Sequence, residues 1–389
     1  MRLAFVLRGG LHPSGRIEII PAYLGLLAAL AARHEVHAFV LQHLPAPQSY
    51  ELRGIHVHDL GRPTASLGFA RLAQYRALVA AMRAQGPFDA IHGIWGDPAG
   101  LLAAIAGRTL DTPSVVTCDS GEFVSVPDAG YGMQRTARGH LTMAAVVHLA
   151  TRLHVCTHAA AAQATRLGWP TTVWPIGIDA TPFERTEAVP DGPPWRLLQV
   201  ASLNRVKHQT LAIDAIAALT RRGIDVTLDL VGEDTLAGAV QARALAAGVL
   251  GRVRFHGFLD QASLVPLYHR AHLYVQTSWH EGAGVSVLEA AAAGLPIVGT
   301  RVGYVADWAG DAAVAIDGAS PSTLVNAIAT TLASPTQRRA LAAVARVHVR
   351  AHDLTATVGA CEACYASLPG RSLSPTSRPS GRYSEHTQR

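Results

Sequence analysis

Lysine is almost absent from this 389-residue chain, and charged residues of all kinds make up only 16% of it. Lys207 is the one lysine that could form a Schiff base, so an enzyme carrying pyridoxal phosphate would have to use that position. Cysteine is scarce as well, since Cys118, Cys156, Cys361 and Cys364 lie in three separate regions. This arrangement excludes the disulfide framework of a small secreted protein and predicts reduced thiols.

Long apolar runs are also missing, although hydrophobic residues make up 49% of the chain. No stretch approaches the ~20 consecutive apolar residues that cross a bilayer, so the sequence predicts no transmembrane helix. The amino terminus MRLAFVLRGG reads as a strand followed by a glycine loop rather than as a signal peptide. We therefore expect a cytoplasmic protein.

The formal charge of +5 is concentrated at the end of the chain, where residues 370–389 contain four arginines and one glutamate. The rest carries only a small positive charge, which gives no indication of nucleic-acid binding. Peripheral contact with an anionic membrane surface stays open. The segment 369–389 is rich in Ser, Pro and Arg with little to bury, so we predict a disordered tail.

Strand and helix patterns alternate along the chain. Strands are indicated by RLAFVL, HEVHAFVL and IHVHDL, and helices by PAYLGLLAALAAR and FARLAQYRALVAAMRAQ. This alternation predicts parallel sheets, and the length exceeds what one ordinary core can bury. A Pro- and Gly-rich hinge at residues 188–195 divides the pattern. We predict two α/β domains, over residues 1–190 and 191–350.

The most informative stretch is SWHEGAGVSVLEAAAAGLPIVGT, residues 278–300. A buried strand precedes it, VSVLEAAAA suits a helix, and Gly294 and Pro296 end that helix. Small residues between strand and helix leave room for a ligand to approach main-chain N–H groups at the positive helix end. The stretch therefore predicts phosphate binding by the loop and first helical residues, namely Gly282, Ala283, Gly284, Val285 and Ser286.

Two carboxylates flank this predicted phosphate site. They would repel a phosphate, so Glu281 in the loop and Glu289 in the helix are better suited to accept hydrogen bonds from sugar hydroxyls. We assign Glu289 to a ribose diol and Glu281 to a second sugar beyond the diphosphate. The simpler alternative is a surface amphipathic helix with a capping carboxylate.

The spacing of Glu281 and Glu289, with seven residues between them, resembles the signature of retaining glycosyltransferases of family 4. The likeness extends through YHRAHLYVQTS before the stretch and VGYVADWAGDAAVAI after it. The resemblance implies the GT-B architecture, in which two Rossmann-like domains face each other across a cleft. It also implies a nucleotide-diphosphate sugar donor and no essential metal or cofactor. Residues 351–368 resemble the terminal helix that braces the first domain in such enzymes.

Positive charge for a diphosphate is offered by Lys207, just ahead of a predicted helix, and by Arg205. The family resemblance supports Lys207 best. Enzymes of that family usually have an arginine five positions before this lysine, but here the position is Ser202. Arg205 therefore either substitutes for that arginine or faces solvent. A glycine-containing turn follows a later strand, and we expect its backbone to meet the nucleotide base through Gly257, Phe258 and Leu259.

Two loops of the first domain are candidates for the other side of the cleft. The glycine-rich loop RGGLHPSGR resembles the first loop of family 4 enzymes, with Gly15 as the close-approach residue. In PSVVTCDSGEF the strand runs into a loop carrying Asp119 and Glu122, whose carboxylates we expect to face the cleft. Asp119 stands where the family often has histidine. The alternative is that Asp119 or Glu122 caps the next helix.

Histidines and the CxxC pair suggest metal sites only weakly. His56 and His58 share one strand face, but the sequence places no carboxylate or third histidine with them, so we interpret them as surface residues. The same interpretation covers His154 and His158. The paired cysteines near the carboxyl end fall in an Ala-rich helix and favour core packing.

Together with these residues, the family resemblance implies a retaining glycosyltransferase that needs no metal and moves a sugar to a glycan, lipid or small-molecule acceptor. Catalytic roles are expected for Glu281, Lys207, Arg205 and Asp119. Two rivals remain open from sequence: a nucleotide-sugar epimerase or phosphorylase of the same fold, and a non-catalytic nucleotide-sugar-binding subunit. The sequence identifies neither the donor base nor the acceptor.

Overall fold

Two predominantly parallel sheets, one in each half of the chain, organise the structure. The computed structural model describes residues 1–62, 69–185 and 191–369. Residues 188–190 of the predicted hinge and the predicted tail from residue 370 onward lie outside the described residues.

The first described sheet contains eight strands in the order β3-β4-β2-β1-β5-β6-β7-β8. Its strands are β1 (Arg2–Leu7), β2 (Glu35–Val40), β3 (Gln48–Leu52), β4 (Ile55–Asp59), β5 (Ala90–Ile94), β6 (Ser114–Thr117), β7 (Arg152–Val155) and β8 (Thr172–Val173). The helices are α1 (Pro21–Ala31), α2 (Ala70–Gln85), α3 (Leu101–Thr109), α4 (Ala137–Leu149) and α5 (His158–Arg166). Strand β3 is antiparallel to β4 and was not predicted, because QSYEL is mostly polar and exposed.

The second described sheet contains six strands in the order β11-β10-β9-β12-β13-β14. Its strands are β9 (Trp195–Val200), β10 (Val226–Val231), β11 (Val253–Phe255), β12 (Leu273–Gln276), β13 (Ile297–Thr300) and β14 (Ala313–Ile316). The helices are α6 (Gln209–Arg221), α7 (Ala239–Ala246), α8 (Gln261–Arg270), α9 (Val285–Ala292), α10 (Gly303–Asp307), α11 (Pro321–Ala333), α12 (Pro335–Ala351) and α13 (Leu354–Ala366). The predicted two-domain α/β class is thereby confirmed.

Local sequence explains where several helices begin. The side chains of Thr136 and Thr157 accept hydrogen bonds from N–H groups of the first turns of α4 and α5. Ser320 and Ser334 do the same for α11 and α12, and each is followed by proline at the first helical position. Such caps contribute about 1 kcal/mol each and fix the residue at which the chain leaves a loop.

Helix α13 follows the second domain in sequence but packs against α1 of the first. Its Glu362 accepts a 2.7 Å hydrogen bond from Nε2 of His34, and its Tyr365 hydroxyl lies 2.7 Å from Nδ1 of buried His92. Cys361 and Cys364 are buried free thiols on this helix, as the sequence predicted. The helix thus connects the end of the second domain to the core of the first.

A hydrogen-bonded chain of buried side chains continues from α13 into the first sheet. Nε2 of His154 lies 2.8 Å from the carbonyl oxygen of Trp174, which can only accept, so this nitrogen donates. Nδ1 of His154 then accepts from Thr117, whose hydroxyl in turn accepts from Nε2 of His92. The interpretation of His154 as a surface residue was therefore wrong, because its two ring nitrogens are satisfied inside the core.

Among the described helices, none combines the length and the apolar character needed to cross a membrane.

Candidate active site

The loop between β12 and α9 holds Glu281 and the start of the helix. Gly284 has φ +83°, a left-handed conformation that other residues adopt only at a cost, and the chain turns there into α9. The first N–H groups of the helix, at Val285 and Ser286, have no acceptor within the helix. They are positioned to meet an anion at its positive end.

Lys207 and Glu281 form an ion pair beside this loop. Nζ of Lys207 lies 2.7 Å from both carboxylate oxygens of Glu281, and the Ser278 hydroxyl donates to Oε1 at 2.6 Å. The exposed fractions of the Lys207 and Glu281 side chains are 26% and 10%. The sequence assigned the lysine to phosphate and the glutamate to sugar, and the structure adds that the two neutralise each other.

The loop that carries Lys207 is held in place by the neighbouring strand. The Thr277 hydroxyl donates to the carbonyl oxygen of Lys207 at 3.0 Å and accepts from the Gln199 amide at 2.9 Å. The Lys207 N–H donates to the side chain of Asn204 at 3.0 Å. These bonds hold the backbone at Lys207 in place.

Glu289 lies in α9 with its carboxyl group turned inward. Oε2 accepts a 2.6 Å hydrogen bond from the hydroxyl of Tyr268 in α8. Burial raises the pKa of Glu289 to about 7, so the carboxyl group changes charge near neutral pH. The tyrosine orients the group but satisfies only one of its oxygens, which leaves acceptor capacity for a diol.

Asp119 lies at the carboxyl end of β6 and approaches the second domain. Its Oδ2 accepts from the hydroxyl of Tyr23 at 3.1 Å. Burial raises the pKa of Asp119 to about 7, with further contributions from the charges of Glu122 and Glu281. Asp119 caps no described helix, so the alternative interpretation of it as a cap is wrong; α4, the next helix, is capped by Thr136.

Direct contacts between the domains surround Asp119. A Cβ added to Gly282 would lie 2.5 Å from the carbonyl oxygen of Asp119, so the space at this glycine is filled by the first domain. This corrects the expectation that Gly282 leaves room for a ligand. The Thr157 hydroxyl donates to the Gly282 carbonyl at 2.8 Å, and Nε2 of His280 donates to the carbonyl of Ser120 at 2.7 Å. These bonds bring Asp119 close to the Glu281 loop.

Glu122 does not face the cleft, contrary to the prediction. It is buried, with Oε1 accepting from the N–H of Gly96 at 2.9 Å and Oε2 from the N–H of Ser120 at 2.7 Å. The carboxylate thereby ties two strand-end loops together. Because Ser120 directly follows Asp119, one of these bonds holds the backbone next to Asp119.

The remaining predicted site residues lie around this centre. Arg205 is exposed and makes no ion pair within the described residues. Gly257 has φ +66° and its carbonyl accepts from the N–H of Gly232, while the following Phe258 is 53% exposed and Leu259 packs against the core. These positions leave the predicted contact with a base untested.

Gly15 lies in the first loop with φ +61°, buried against Leu52 of β3. The charge of the next residue, Arg16, acts weakly on Asp260 of the second domain. The pKa of Asp260 is lowered mainly by the hydrogen bond from Ser263 and in smaller part by the charge of Arg16. Gly15 itself packs within the first domain.

A cavity of about 390 Å³ opens at the carboxyl ends of β1, β2 and β5. Its lining consists of Arg8, Gly9, Gly10, Glu18, Ile19, Ile20, Gln42, His43 and Trp95. The Trp95 ring meets Tyr23 edge-on at 5.8 Å, and Tyr23 donates to Asp119. The cavity is thus connected to Asp119 through one side chain.

Sequence reasoning missed the partners that orient the predicted residues. Tyr23 and Tyr268 are remote in sequence from Asp119 and Glu289, and no spacing rule links them. Ser278 stands three residues before Glu281, so this bond was the one with a local signal.

A separate group of side chains on the first sheet has the composition of a metal site. Glu35, His37 and His56 bring ligand atoms within 4.8 Å of one another, and no other such group occurs among the residues described. The statement that no carboxylate or third histidine accompanies His56 and His58 was therefore wrong. The partners, Glu35 and His37, come from the neighbouring strand β2, and the sequence alone does not show how β2 and β4 align.

Comparison with known families accounts for both halves of the chain. The family model described as glycosyl transferases group 1 matches residues 181–348, and the one described as glycosyl transferase 4-like domain matches residues 20–177. The glycogen synthase of Mycobacterium tuberculosis is 35% identical over 180 residues, which cover 45% of this chain and 44% of that protein. The matched segment thus spans about half the length of that relative.

Solved structures resemble nearly the whole chain. Sucrose-phosphate synthase from Thermosynechococcus elongatus has a TM-score of 0.78 at 20% identity, covering 94% of this chain and 98% of that one. HepE from Anabaena, in complex with UDP-glucose, has a TM-score of 0.74 at 17% identity, covering 95% and 100%. At these identities the likeness concerns the fold, and it confirms the GT-B architecture.

Proposed function

The chain belongs to the group 1 glycosyltransferases, and we propose that it transfers a sugar from a nucleotide-diphosphate sugar to an acceptor hydroxyl, with retention of configuration and without a metal. The observation that carries this proposal is the Lys207–Glu281 ion pair beside the start of α9, opposite Asp119 of the other domain. On this proposal the lysine serves as the cation for a diphosphate, and the glutamate serves as the acceptor for sugar hydroxyls.

Donor binding on this proposal exchanges the partners of the ion pair. The diphosphate takes Lys207 and the N–H groups at the start of α9, which frees Glu281 to accept from hydroxyls of the transferred sugar. Glu289 accepts from the ribose diol beside Tyr268. As the bond between the sugar carbon and the phosphate oxygen breaks, negative charge develops on that oxygen, where Lys207 stabilises it.

On this proposal Arg205, which is exposed and forms no ion pair among the described residues, reaches into the site and adds positive charge. The base is proposed to contact Gly257, Phe258 and Leu259. Gly15 belongs to the loop that approaches the donor phosphates from the first domain.

The acceptor on this proposal occupies the cavity beside Trp95 and directs one hydroxyl to Asp119. A carboxyl group with a pKa of about 7 is suited to accept a proton at neutral pH. Tyr23 holds the carboxyl group of Asp119 in place through Oδ2.

The rival functions are not favoured, since the matched family descriptions name transferases. A glycogen synthase and a UDP-glucose complex among the similar proteins support a nucleotide-sugar donor for this chain.

The test is a panel of UDP-, GDP- and ADP-sugars incubated with glycan, lipid and small-molecule acceptors, with nucleoside diphosphate and products followed by mass spectrometry. We expect diphosphate release coupled to a glycosylated product, in EDTA as in magnesium. Isomerised donor, phosphate-dependent cleavage, or binding without turnover would support the epimerase, the phosphorylase or the binding subunit, respectively. Loss of nucleotide binding in EDTA would contradict the metal-free proposal.

A further inference from the structure

The strands β2 and β4 bring two histidines into direct register near the edge of the first sheet. His37 is the pairing partner of His56, and their rings lie 4.9 Å apart between centroids. The side chain of His37 is only 4% exposed, whereas that of His56 is 43% exposed. One buried and one accessible imidazole therefore lie side by side.

A carboxylate completes the group. Glu35, two residues before His37 on the same face of β2, has Oε1 at 3.0 Å from Nε2 of His37 and is 46% exposed. Two imidazoles and one carboxylate, with a water in the fourth position, form a common donor set for zinc. We propose that Glu35, His37 and His56 bind a divalent transition-metal ion of the zinc class.

Each histidine of the group has an outer partner on the ring nitrogen that the ion does not need. Nδ1 of His37 lies 3.0 Å from Nε2 of His58, and Nδ1 of His58 lies 3.2 Å from the hydroxyl of Ser49. Nδ1 of His56 lies 3.4 Å from a carboxylate oxygen of Glu51. Outer partners of this kind orient ligating imidazoles, and they leave Nε2 of both ligands for the ion.

The proton on Nε2 of His37 can be accommodated when the ion binds. Without the ion, this nitrogen donates to Glu35, so Nδ1 accepts from His58. With the ion on Nε2, His37 carries its proton on Nδ1 and donates to His58, which donates from its own Nδ1 to Ser49. The number of protons on the three side chains is unchanged, because both imidazoles change tautomer and the hydroxyl rotates.

One neighbouring charge opposes binding. Nη2 of Arg2 lies 3.0 Å from the same Oε1 of Glu35, so the arginine competes for the carboxylate. Removing this arginine should therefore strengthen metal binding, whereas removing a ligand should weaken it. Replacing it with methionine keeps the apolar stem and removes the competing cation.

The site is remote from the proposed chemistry. Glu35 begins β2 and His56 is the second residue of β4, whereas Asp119 follows the carboxyl end of β6. The ion would link β4 to β2 and stabilise this side of the sheet. It is therefore separate from the metal-free transfer proposed above, and a failure of either proposal leaves the other standing.

The experiment titrates tag-free, chelator-treated full chain with Zn²⁺ by calorimetry and follows the melting temperature. We expect one ion per chain and a higher melting temperature, because an ion bound only by the folded state stabilises it. Mg²⁺, which prefers oxygen ligands, should not compete. Co²⁺ should give the visible absorption of a four-coordinate site.

Four variants test the proposed site. His58→Phe should weaken Zn²⁺ binding by about 10- to 100-fold, the range for outer-partner changes, and His56→Ala by more. Arg2→Met should strengthen it. The control His148→Ala replaces an exposed histidine of α4 outside the group and should change nothing. Absence of stoichiometric binding, or equal affinity in the wild type and His56→Ala, would overturn the proposal. Circular dichroism checks that each variant is folded.

Discussion

Replacing Glu281 with glutamine should have different effects on the binding of the two halves of the donor, the diphosphate and the transferred sugar. In the free protein Glu281 holds Lys207 through two 2.7 Å contacts, so a diphosphate has to compete with a carboxylate for the lysine. Glutamine retains the hydrogen bond from Ser278 but removes the competing charge. We therefore expect Glu281→Gln to bind a free nucleoside diphosphate as well as the wild type or more tightly.

The magnitude follows from the partial burial of the pair. With the two side chains 26% and 10% exposed, releasing Lys207 is worth about 1 kcal/mol after solvent screening, or roughly a five-fold gain in affinity for the diphosphate. The intact donor loses a charged acceptor for its sugar hydroxyl, which costs about 1–2 kcal/mol, the difference between charged and neutral hydrogen bonds. Because the release of Lys207 favours both ligands equally, the ratio of the two dissociation constants should shift by the contribution of the sugar alone, which is about 5- to 30-fold.

Calorimetric titrations with UDP and UDP-glucose, or the pair that the donor panel selects, measure this ratio. Glu184→Gln is the matched control, because Glu184 is exposed and forms no ion pair among the described residues. Equal weakening of diphosphate and donor by Glu281→Gln would refute the assignment of Glu281 to the sugar. It would mean that the carboxylate supports the loop rather than the ligand.

Three further variants test the other side chains of the cleft. Lys207→Ala should lower diphosphate affinity and turnover together by roughly 10- to 150-fold, the equivalent of a charge-assisted hydrogen bond of ~1.5–3 kcal/mol; a change in turnover alone would contradict its role in binding. Asp119→Asn should leave diphosphate affinity intact and reduce transfer more than donor hydrolysis, and equal losses would argue against a role toward the acceptor. Glu289→Gln should flatten the pH dependence of stability: burial raises the pKa of Glu289 from its usual 4.5 to about 7, so its contribution is complete below pH about 4.5 and is lost, on the order of 3 kcal/mol, as pH rises through 7. Urea unfolding of wild type and variant at pH 5 and pH 8 measures this difference. If the free energy of unfolding changes equally between the two pH values in both proteins, the raised pKa of Glu289 is contradicted.

The fold was largely predictable because local patterns repeat the same unit. Apolar strands such as RLAFVL alternate with amphipathic helices, and glycine or proline ends them, as Gly294 and Pro296 do after α9. Strand β3 escaped prediction because an exposed edge strand carries little apolar pattern. The partners of buried polar groups escaped it for a different reason, since burial of His154 depends on Thr117 and Trp174 from other segments.

The same distinction between local sequence patterns and contacts from other segments applies to the candidate site. Glu281, Glu289 and the glycine turn lie within one short stretch, so their spacing reveals them. The pairing of Lys207 with Glu281 joins residues 74 positions apart, and only the sheet order of the second domain brings them together. Glu122 was misassigned because a carboxylate beside a strand end can either face a cleft or bind backbone N–H groups, and sequence does not distinguish the two.

The most direct test of the central claim uses water as the acceptor and so needs no knowledge of the natural one. Donor hydrolysis by the wild type is followed by proton NMR at times short compared with mutarotation, beginning with α-linked UDP-glucose and GDP-mannose. Retaining transfer predicts that nucleoside diphosphate and the α-anomer of the free sugar appear together, with both rates reduced in Lys207→Ala. Initial appearance of the β-anomer would contradict retention, and a tightly bound donor that releases no diphosphate with any acceptor would contradict the transferase itself.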